Sequence, residues 1–360
     1  MKRIVILATN DFATDQRVLK SAGVFSRNNF DVVLAGRIKR GVREPSLPYP
    51  ATLFRLFFQS SAFFYAEYNI RAFLFLVFAK YSHILANDTD TLPAAFLASK
   101  IRRKLLIFDA HELFPEVPEL HQRRAIKSVW QTIENLIFPR LKYSVTVCDS
   151  IADYYASKYG IRMQVVRNIP ENKKVVAPAL HYANKSILLY QGALNKGRGL
   201  EWIIDAMPFL PHCMLVIIGS GDIESELKQR VASLGVTENV VFLGRIPATE
   251  LYTYTVSAQL GLCLLENMGM SYYYALPNRI FDYLQAGVPV VATPFPEIKN
   301  IVQKYNTGIL VDDYRPQQLA SQIMDFLNSG FDTSHFARVA SELSWDNEAR
   351  KLEEVIKNIL

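Results

Sequence analysis

The chain has 360 residues, half of them hydrophobic and about a fifth charged, with nothing low-complexity and no repeat of solenoid period. That is globular composition and more length than one hydrophobic core usually serves, so two domains are expected. Residues 1–170 carry 24 Lys+Arg against 14 Asp+Glu (+10) and the rest 16 against 20 (−4); the basic half fits either an anionic surface or substrate or scattered surface charge, and without a reading motif it argues against a nucleic-acid binder.

The start, MKRIVILATND, is too short and too soon polar for a signal peptide and reads as a first strand. The runs DVVLAG, HILAN, KLLIFDA and YSVTVCD follow as further strands, with TDQRVLKSAGVFSR and TLPAAFLASKIR as intervening helices. After a polar linker around 171–185, the pattern restarts with SILLYQG, MLVIIGSG, VVFLG, QLGLCLLE, VPVVAT and GILVDD. Continuous apolar strands joined by crossover helices are buried parallel strands, so each half is expected to be α/β, an open, doubly wound Rossmann-like sheet. Such sheets bind ligands at the carboxyl ends of their strands, which predicts a cleft between two facing domains, 1–170 and 171–340. The end, SWDNEARKLEEVIKNIL, has Ser344 as a candidate N-cap and apolar residues at helical spacing, and predicts a closing helix over 341–360.

Cys148, Cys213 and Cys263 are far apart and the histidines show no paired spacing, so a reducing compartment is expected and a structural zinc site is not. The cytoplasm is the default location. From Phe54 to Phe78 lie ten Phe or Tyr residues, and the longest uncharged run there, 56–66, is far short of a membrane span. The segment is either a buried helix pair or, flanked by Arg55, Arg71 and Lys80, an aromatic face that rests on the inner surface of the cytoplasmic membrane.

The densest chemical signal is SYYYALPNRIFDYLQAGVPVVAT, 271–293. Pro277 suits a first helical position, and the N–H groups after it would face an anion such as phosphate. Asn278 and Asp282 are four apart and share a face, and Gly287 ends the helix. An ordinary capped helix with an acidic first turn has the same local pattern. In the first half, NDTDTLP (87–93) contains an Asp-x-Asp that is either a metal-binding element or the cap of the following helix, with Asp88 or Asp90 as the cap. The loop TNDFATDQR offers Asp11, Asp15 and Arg17 as acceptor-side candidates, with Thr14 as a possible N-cap; a plain capping turn reads equally well.

The 271–293 stretch resembles the donor motif of the retaining glycosyltransferases of family 4 (glycosyltransferase group 1), in the bacterial subgroup reading A-L-P-N-(K/R)-(I/L)-F-(E/D)-Y-x-x-A-G-x-P-V. The likeness extends over DQRVLKSAGVF, ANDTDTLPAAFLASK, FDAHELFPEVPEL, VTVCDSIADYY, VVRNIP, YQGALNKGRGLEWIIDAM, LVIIGSGD and VVFLGRIP. It implies the GT-B fold, two Rossmann-like domains facing across a cleft with the last helix returning to the first. It also implies an enzyme moving a sugar with retention from a nucleotide-diphosphate sugar, of UDP or GDP type, to a glycan or lipid-linked acceptor in cell-surface polysaccharide assembly.

By the same resemblance Asp282 takes the ribose hydroxyls, a charged hydrogen bond worth ~1.5–3 kcal/mol. Arg198 takes the diphosphate, with Lys196 beside it. Further donor contacts are implied at Gly192, Gly219, Gly221, Arg245, Tyr274, Leu276, Pro277 and Asn278. His111, flanked by Asp109 and Glu112, matches the family's histidine near the donor sugar and leaving group, where it hydrogen-bonds rather than attacks. The catalytic set is then His111, Arg198 and Asp282, with the departing phosphate assisting the acceptor proton and neither a cofactor nor a metal required. Two positions depart from the pattern. Ala193 stands where an Arg is common, and Tyr274 stands where a first Glu positions the donor sugar, with Ser271, Tyr272 and Tyr273 as substitute hydroxyls. Alternatives are a nucleotide-sugar 2-epimerase, for which Asp109, Glu112 and Glu297 are the available carboxylates, and a non-catalytic scaffold that binds sugar nucleotide.

Overall fold

The computed structural model describes residues 2–12, 15–121, 123–171, 173 and 176–360. Seven parallel strands form the first sheet: β1 (Lys2–Ala8), β2 (Phe30–Ile38), β3 (Ala51–Arg55), β4 (His83–Asn87), β5 (Leu105–Ala110), β6 (Tyr143–Thr146) and β7 (Gln164–Val165). Their order is β3-β2-β1-β4-β5-β6-β7. The second sheet has six, β8 (Ser186–Gln191), β9 (Cys213–Ile218), β10 (Val240–Gly244), β11 (Leu260–Cys263), β12 (Val290–Ala292) and β13 (Gly308–Leu310), in the order β10-β9-β8-β11-β12-β13.

Both are the open, doubly wound sheets that the apolar runs predict. The central strands are sealed on both faces: Ile4, Val5, Ile6 and Leu7 in β1, and Leu188 and Leu189 in β8, are fully buried. The strand order reverses between β1 and β4 and again between β8 and β11, where connections leave in opposite directions and open a crevice at the carboxyl ends. The short edge strands β3 and β7 carry no readable strand pattern. β3 buries only Phe54, and β7 has two residues.

By internal packing the chain forms two units. One comprises Met1–Asn168, Gly269–Ser271 and Asp346–Leu360, and the other Ile169–Met268 and Tyr272–Trp345. The helix Trp345–Lys357 begins directly after Ser344. Beyond it the chain end accepts hydrogen bonds from first-unit side chains: Tyr143 Oη donates to Asn358 O at 3.3 Å and Lys2 Nζ to Leu360 O at 2.9 Å. Glu348 Oε2 accepts the Arg167 N–H at 2.8 Å.

Helix α1 (Gln16–Arg27) is capped by Asp15, whose Oδ1 accepts the Val18 N–H at 3.1 Å. Thr14, the cap expected from sequence, lies outside the described residues. The aromatic segment forms β3, an exposed turn and one helix, α2 (Ser61–Phe78), rather than a helix pair. Its aromatics divide: Phe64 and Tyr68 are buried, and Tyr68 Oη donates to Ala8 O at 3.1 Å, whereas Phe57, Phe58, Phe63 and Phe78 are exposed. No described helix is long and apolar enough to cross a membrane.

The helix after β4, α3 (Asp88–Arg102), is capped by neither aspartate of Asp88-Thr89-Asp90. Its N-cap residue is Asn87, without a side-chain cap bond. Asp88 has φ 59°, the left-handed region, so its carboxylate swings across to β5 and accepts the His111 N–H at 2.8 Å. Asp90 turns inward and accepts from Thr9 Oγ1.

Candidate functional site

In the second unit one pocket, of about 380 Å³, opens at the carboxyl end of β8, beside the reversal point of the sheet. Its lining is Gln191, Gly192, Arg198, Leu251, Leu276, Pro277, Asn278, Arg279 and Asp282. A few packing devices aim these residues. Tyr283 is fully buried, and its hydroxyl donates to Leu189 O in β8 at 2.9 Å, with Leu262 O in β11 3.4 Å away. This anchors the helix Arg279–Gln285 across both strands and leaves Arg279 and Asp282 at the pocket. The ring needs Gly261 beneath it, since a Cβ there would come within 2.4 Å of Tyr283 Cδ2. On the facing loop, Gly219 has φ 141°, and a Cβ on it would lie 1.8 Å from Gly192 O. Gly219 therefore lets the loops after β8 and β9 nest, with the Gly219 N–H donating to Gly244 O at 2.8 Å.

Two guanidinium groups converge here. Arg279 is 7% exposed and lies over the Tyr190 ring at 4.4 Å, and Arg198 lies over the Tyr272 ring at 4.7 Å. Both act on the buried thiol of Cys263, which burial nonetheless pushes up to about 11. Among the described residues no carboxylate pairs with either. Arg279 Nη1 and Arg198 Nε are buried without a hydrogen-bond partner. A buried cation without a counter-charge is expensive, and buried polar atoms are normally satisfied. These orphaned donors fit an anionic ligand with several oxygens, which guanidinium forks recognise well.

Asp282 is held from two sides. Its Oδ2 accepts from Gln191 Nε2 at 3.1 Å, and its Oδ1 is 3.5 Å from Lys173 Nζ. Gln191 is oriented in turn by Thr255, whose Oγ1 donates to Gln191 Oε1 at 2.9 Å. The structure thus brings together Gly192, Arg198, Leu276, Pro277, Asn278 and Asp282 of the expected donor set. It adds Gln191, Leu251, Arg279 and, through Asp282, Lys173. Arg279 was legible as the basic position of the ALPNR motif, but there its chemistry reads as an ordinary helical cation.

Other expected donor residues stand elsewhere. Among the described residues Lys196, Gly219, Gly221, Arg245 and Tyr274 are not part of the lining. Lys196 and Arg245 are exposed, Gly221 is a spacer whose Cβ would meet Leu194 O at 2.4 Å, and Tyr274 lies against Tyr273, ring centroids 5.4 Å apart. Of the proposed substitute hydroxyls, Ser271 is buried and Tyr272 is the platform under Arg198. Pro277 lies before the helix rather than at its first position: Asn278 is the N-cap, and Ile280 N–H already bonds Pro277 O at 3.2 Å, because 277–278 form a turn. Gly287 takes φ 74° just past the helix end.

The first unit holds a separate charged cluster at its own reversal point. His111 follows β5, with Nδ1 3.1 Å from Asp88 Oδ2 and Nε2 3.4 Å from Asp109 Oδ2, the latter outside hydrogen-bond geometry. Burial opposes the imidazolium, but Asp88 and Asp109 outweigh it and hold the His111 pKa well above the ordinary value. The imidazole is thereby held in its charged, hydrogen-bond-donating form.

Arg17 has a different task from acceptor binding. It is 3% exposed and forks onto Asp109, Nη2 to Oδ1 at 2.6 Å and Nε to Oδ2 at 3.0 Å, while Nη1 donates to Val166 O at 2.7 Å. Burial alone would raise the Asp109 carboxyl; Arg17 and His111 hold it down at about 2. Asp15 caps α1, and Asp11 lines a small pocket with Arg37, Lys39 and Arg43. Of the carboxylates available to an epimerase, Asp109 is bound to Arg17, Glu112 is pushed up to about 8 chiefly by burial, and Glu297 is buried in the second unit. Among the described residues no group of His, Cys, Asp or Glu is placed to hold a metal ion.

Three further carboxyls of this unit are pushed up, chiefly by burial: Glu112 to about 8, with Asp88 and Glu119 adding to it, Asp90 to about 7 and Glu134 to about 7. A folded-state pKa above the unfolded one gives stability that is complete below the unfolded value, near 4, and lost as pH rises through the folded value. The first unit is expected to lose stability steadily between pH 5 and 8, by about 1.4 kcal/mol per pH unit for each ionising group. Asp109, with its depressed pKa, has the opposite sign: its stabilisation is fully present above about pH 4 and is lost only as the pH falls toward about 2, so it adds no slope between pH 5 and 8. Melting curves across this range check the slope, and Glu134→Gln, which removes the carboxyl bonded to Tyr159 Oη at 2.8 Å, should flatten it.

The sequence from 172 to 351 matches the family described as glycosyl transferases group 1. Over 182 residues the chain is 28% identical to an uncharacterized glycosyltransferase of Methanocaldococcus jannaschii, covering 48% of this chain and 45% of that protein, so the match spans less than half of that relative's length. The fold is similar to sucrose-phosphate synthase from Thermosynechococcus elongatus, with a TM-score of 0.79 at 15% identity, covering 100% of this chain and 99% of that one. It is also similar to Anabaena HepE in complex with UDP and glucose, with a TM-score of 0.73 at 17% identity, covering 99% and 100%. At these identities the likeness shows the fold, two Rossmann-like parallel-sheet domains of the GT-B type.

Proposed function

The chain belongs to the glycosyl transferases group 1, and from that premise we propose that it transfers a sugar from a nucleotide-diphosphate donor bound in the second-unit pocket. The observation that carries this reading is the pair of guanidinium groups with orphaned, buried N–H donors, Arg198 and Arg279, beside a carboxylate one helical turn away. On this reading the guanidinium groups take the diphosphate, and Arg279 supplies the positive charge that Ala193 does not. Asp282 accepts the ribose hydroxyls. Leu251 and Leu276 offer the apolar wall that a base requires.

The chemistry is then electrostatic. Charge develops on the diphosphate as the sugar departs, and preorganised donors in a partly water-excluded pocket stabilise it without reorganising. On this reading the acceptor is handled in the first unit, where the His111 imidazolium is a preorganised donor for a sugar hydroxyl. Retention of the anomeric configuration, a glycan or lipid-linked acceptor and a place in cell-surface polysaccharide assembly are supported by the ALPNR motif. Two guanidinium charges suffice for the diphosphate, so metal independence belongs to the same proposal.

Calorimetric titration of UDP, GDP and their sugar conjugates, with and without EDTA, tests it. One nucleotide should bind in the presence of EDTA, and Arg198→Ala and Asp282→Ala should each weaken it on the order of tenfold or more. EDTA-sensitive binding would overturn metal independence, and binding indifferent to both substitutions would overturn the site.

A further inference from the structure

The solvent face of α2 is apolar from end to end. Phe63, Ile70, Leu74 and Phe78 are 66, 60, 49 and 81% exposed, and at 3.6 residues per turn they form one stripe whose remaining exposed member is Ala66. A surface helix normally places polar residues there, as α1 does with Gln16, Ser26 and Arg27. Helix α3 widens the stripe with Leu97 and Ile101, 54 and 63% exposed. Asn69 Oδ1 accepts the Ala94 N–H at 3.0 Å and Arg102 donates to Val77 O, which sets the two helices side by side with Leu97 and Ile101 level with the second half of α2. At the other end Phe58 stacks on Phe63, and Phe57 is 81% exposed. A continuous exposed apolar face of this length marks a surface that meets an apolar partner.

The charge around it selects the partner. Between 54 and 104 there are seven Lys or Arg and three acids, and the acids are turned inward. Asp90 is buried, Asp88 holds His111, and Glu67 accepts the Phe57 and Phe58 N–H groups and pairs with Arg71. Lys80, Lys100 and Arg103 remain exposed at the rim, where Arg55 pairs with the exposed Glu44 at 3.2 Å. Gln59 Oε1 accepts the Arg40 N–H at 3.3 Å, which brings the basic loop 39–43 after β2, with Lys39 and Arg43, to the same edge. An apolar stripe inside a cationic rim matches the two layers of an anionic bilayer, acyl chains within and phosphates above. Two such faces set against each other would oppose cation to cation. We propose that the α2–α3 face docks the first unit on an anionic lipid surface, independently of the donor reading.

Co-sedimentation of the full chain with vesicles of phosphatidylcholine, alone or mixed with phosphatidylglycerol, tests this. Binding should require the anionic lipid and weaken on going from about 0.1 to about 1 M salt, which shortens the screening length from ~10 to ~3 Å. Phe63→Ser with Phe78→Ser should reduce binding on the order of tenfold or more, as should Leu97→Ser with Ile101→Ser, a second pair should the first fold poorly. Lys80→Gln with Arg103→Gln should reduce it and its salt dependence. The melting temperatures of these exposed-site variants should be unchanged. Wild-type protein that ignores both vesicles, variants that bind as well as wild type, or a concentration-dependent dimer abolished by the Phe63 and Phe78 substitutions would each overturn the proposal.

Discussion

Arg279→Met is expected to weaken nucleotide binding by about 10- to 100-fold and, in the absence of nucleotide, to raise the melting temperature. The two effects have one cause. Arg279 is buried, rests on Tyr190 and leaves Nη1 without an acceptor, so the apo protein carries the desolvation cost of a charge without a counter-ion. Methionine fills similar space without that cost. A diphosphate would supply the missing acceptors, and a charge-assisted bond is worth about 1.5–3 kcal/mol. Arg279→Lys keeps the charge but not the fork and should fall between the two. Calorimetric titration and melting of apo protein measure both signs; unchanged affinity would reduce Arg279 to a packing residue.

Asp109→Asn is expected to have the largest effect on stability. It breaks a buried ion pair whose partners are 3% and 2% exposed and leaves Arg17 uncompensated, which costs about 3–5 kcal/mol. For a unit of this size that lowers the melting temperature by roughly 10 °C. Asp88→Asn should cost much less, because Asp88 is 15% exposed and Asn tolerates its left-handed backbone. Both substitutions remove a carboxylate that raises the His111 pKa, so in both the His111 titration followed by NMR should move down toward the ordinary value near 6.5. A His111 titration unmoved in both variants would show that some other group sets its charge.

Much of the architecture was legible in the sequence. The alternation of apolar runs and helical patterns was enough to establish two parallel sheets, because buried strands need continuous apolar runs. β3 and β7 escaped because ATLFR buries a single residue and QV is only two residues long, so neither is a continuous apolar run. In the candidate site, Gly192, Arg198, Pro277, Asn278 and Asp282 came from local motifs. Lys173 did not, since it reaches Asp282 from more than a hundred positions away.

Tertiary structure alone assigned the tasks. Asp88-Thr89-Asp90 has the spacing of a metal element or a helix cap, yet the backbone at Asp88 sends one carboxylate to His111 and the neighbouring packing sends the other to Thr9. Arg17 looked like an acceptor contact until burial committed it to Asp109. The aromatic run 54–78 was equally consistent with core and with surface, because a helix apolar all round has no periodicity to say which face is covered. Residue types and spacing determined which elements form and where a phosphate-binding motif lies. Which charges are paired, which are left without an acceptor and which apolar face meets solvent depends on contacts between residues far apart in sequence, and those exist only once the chain has packed.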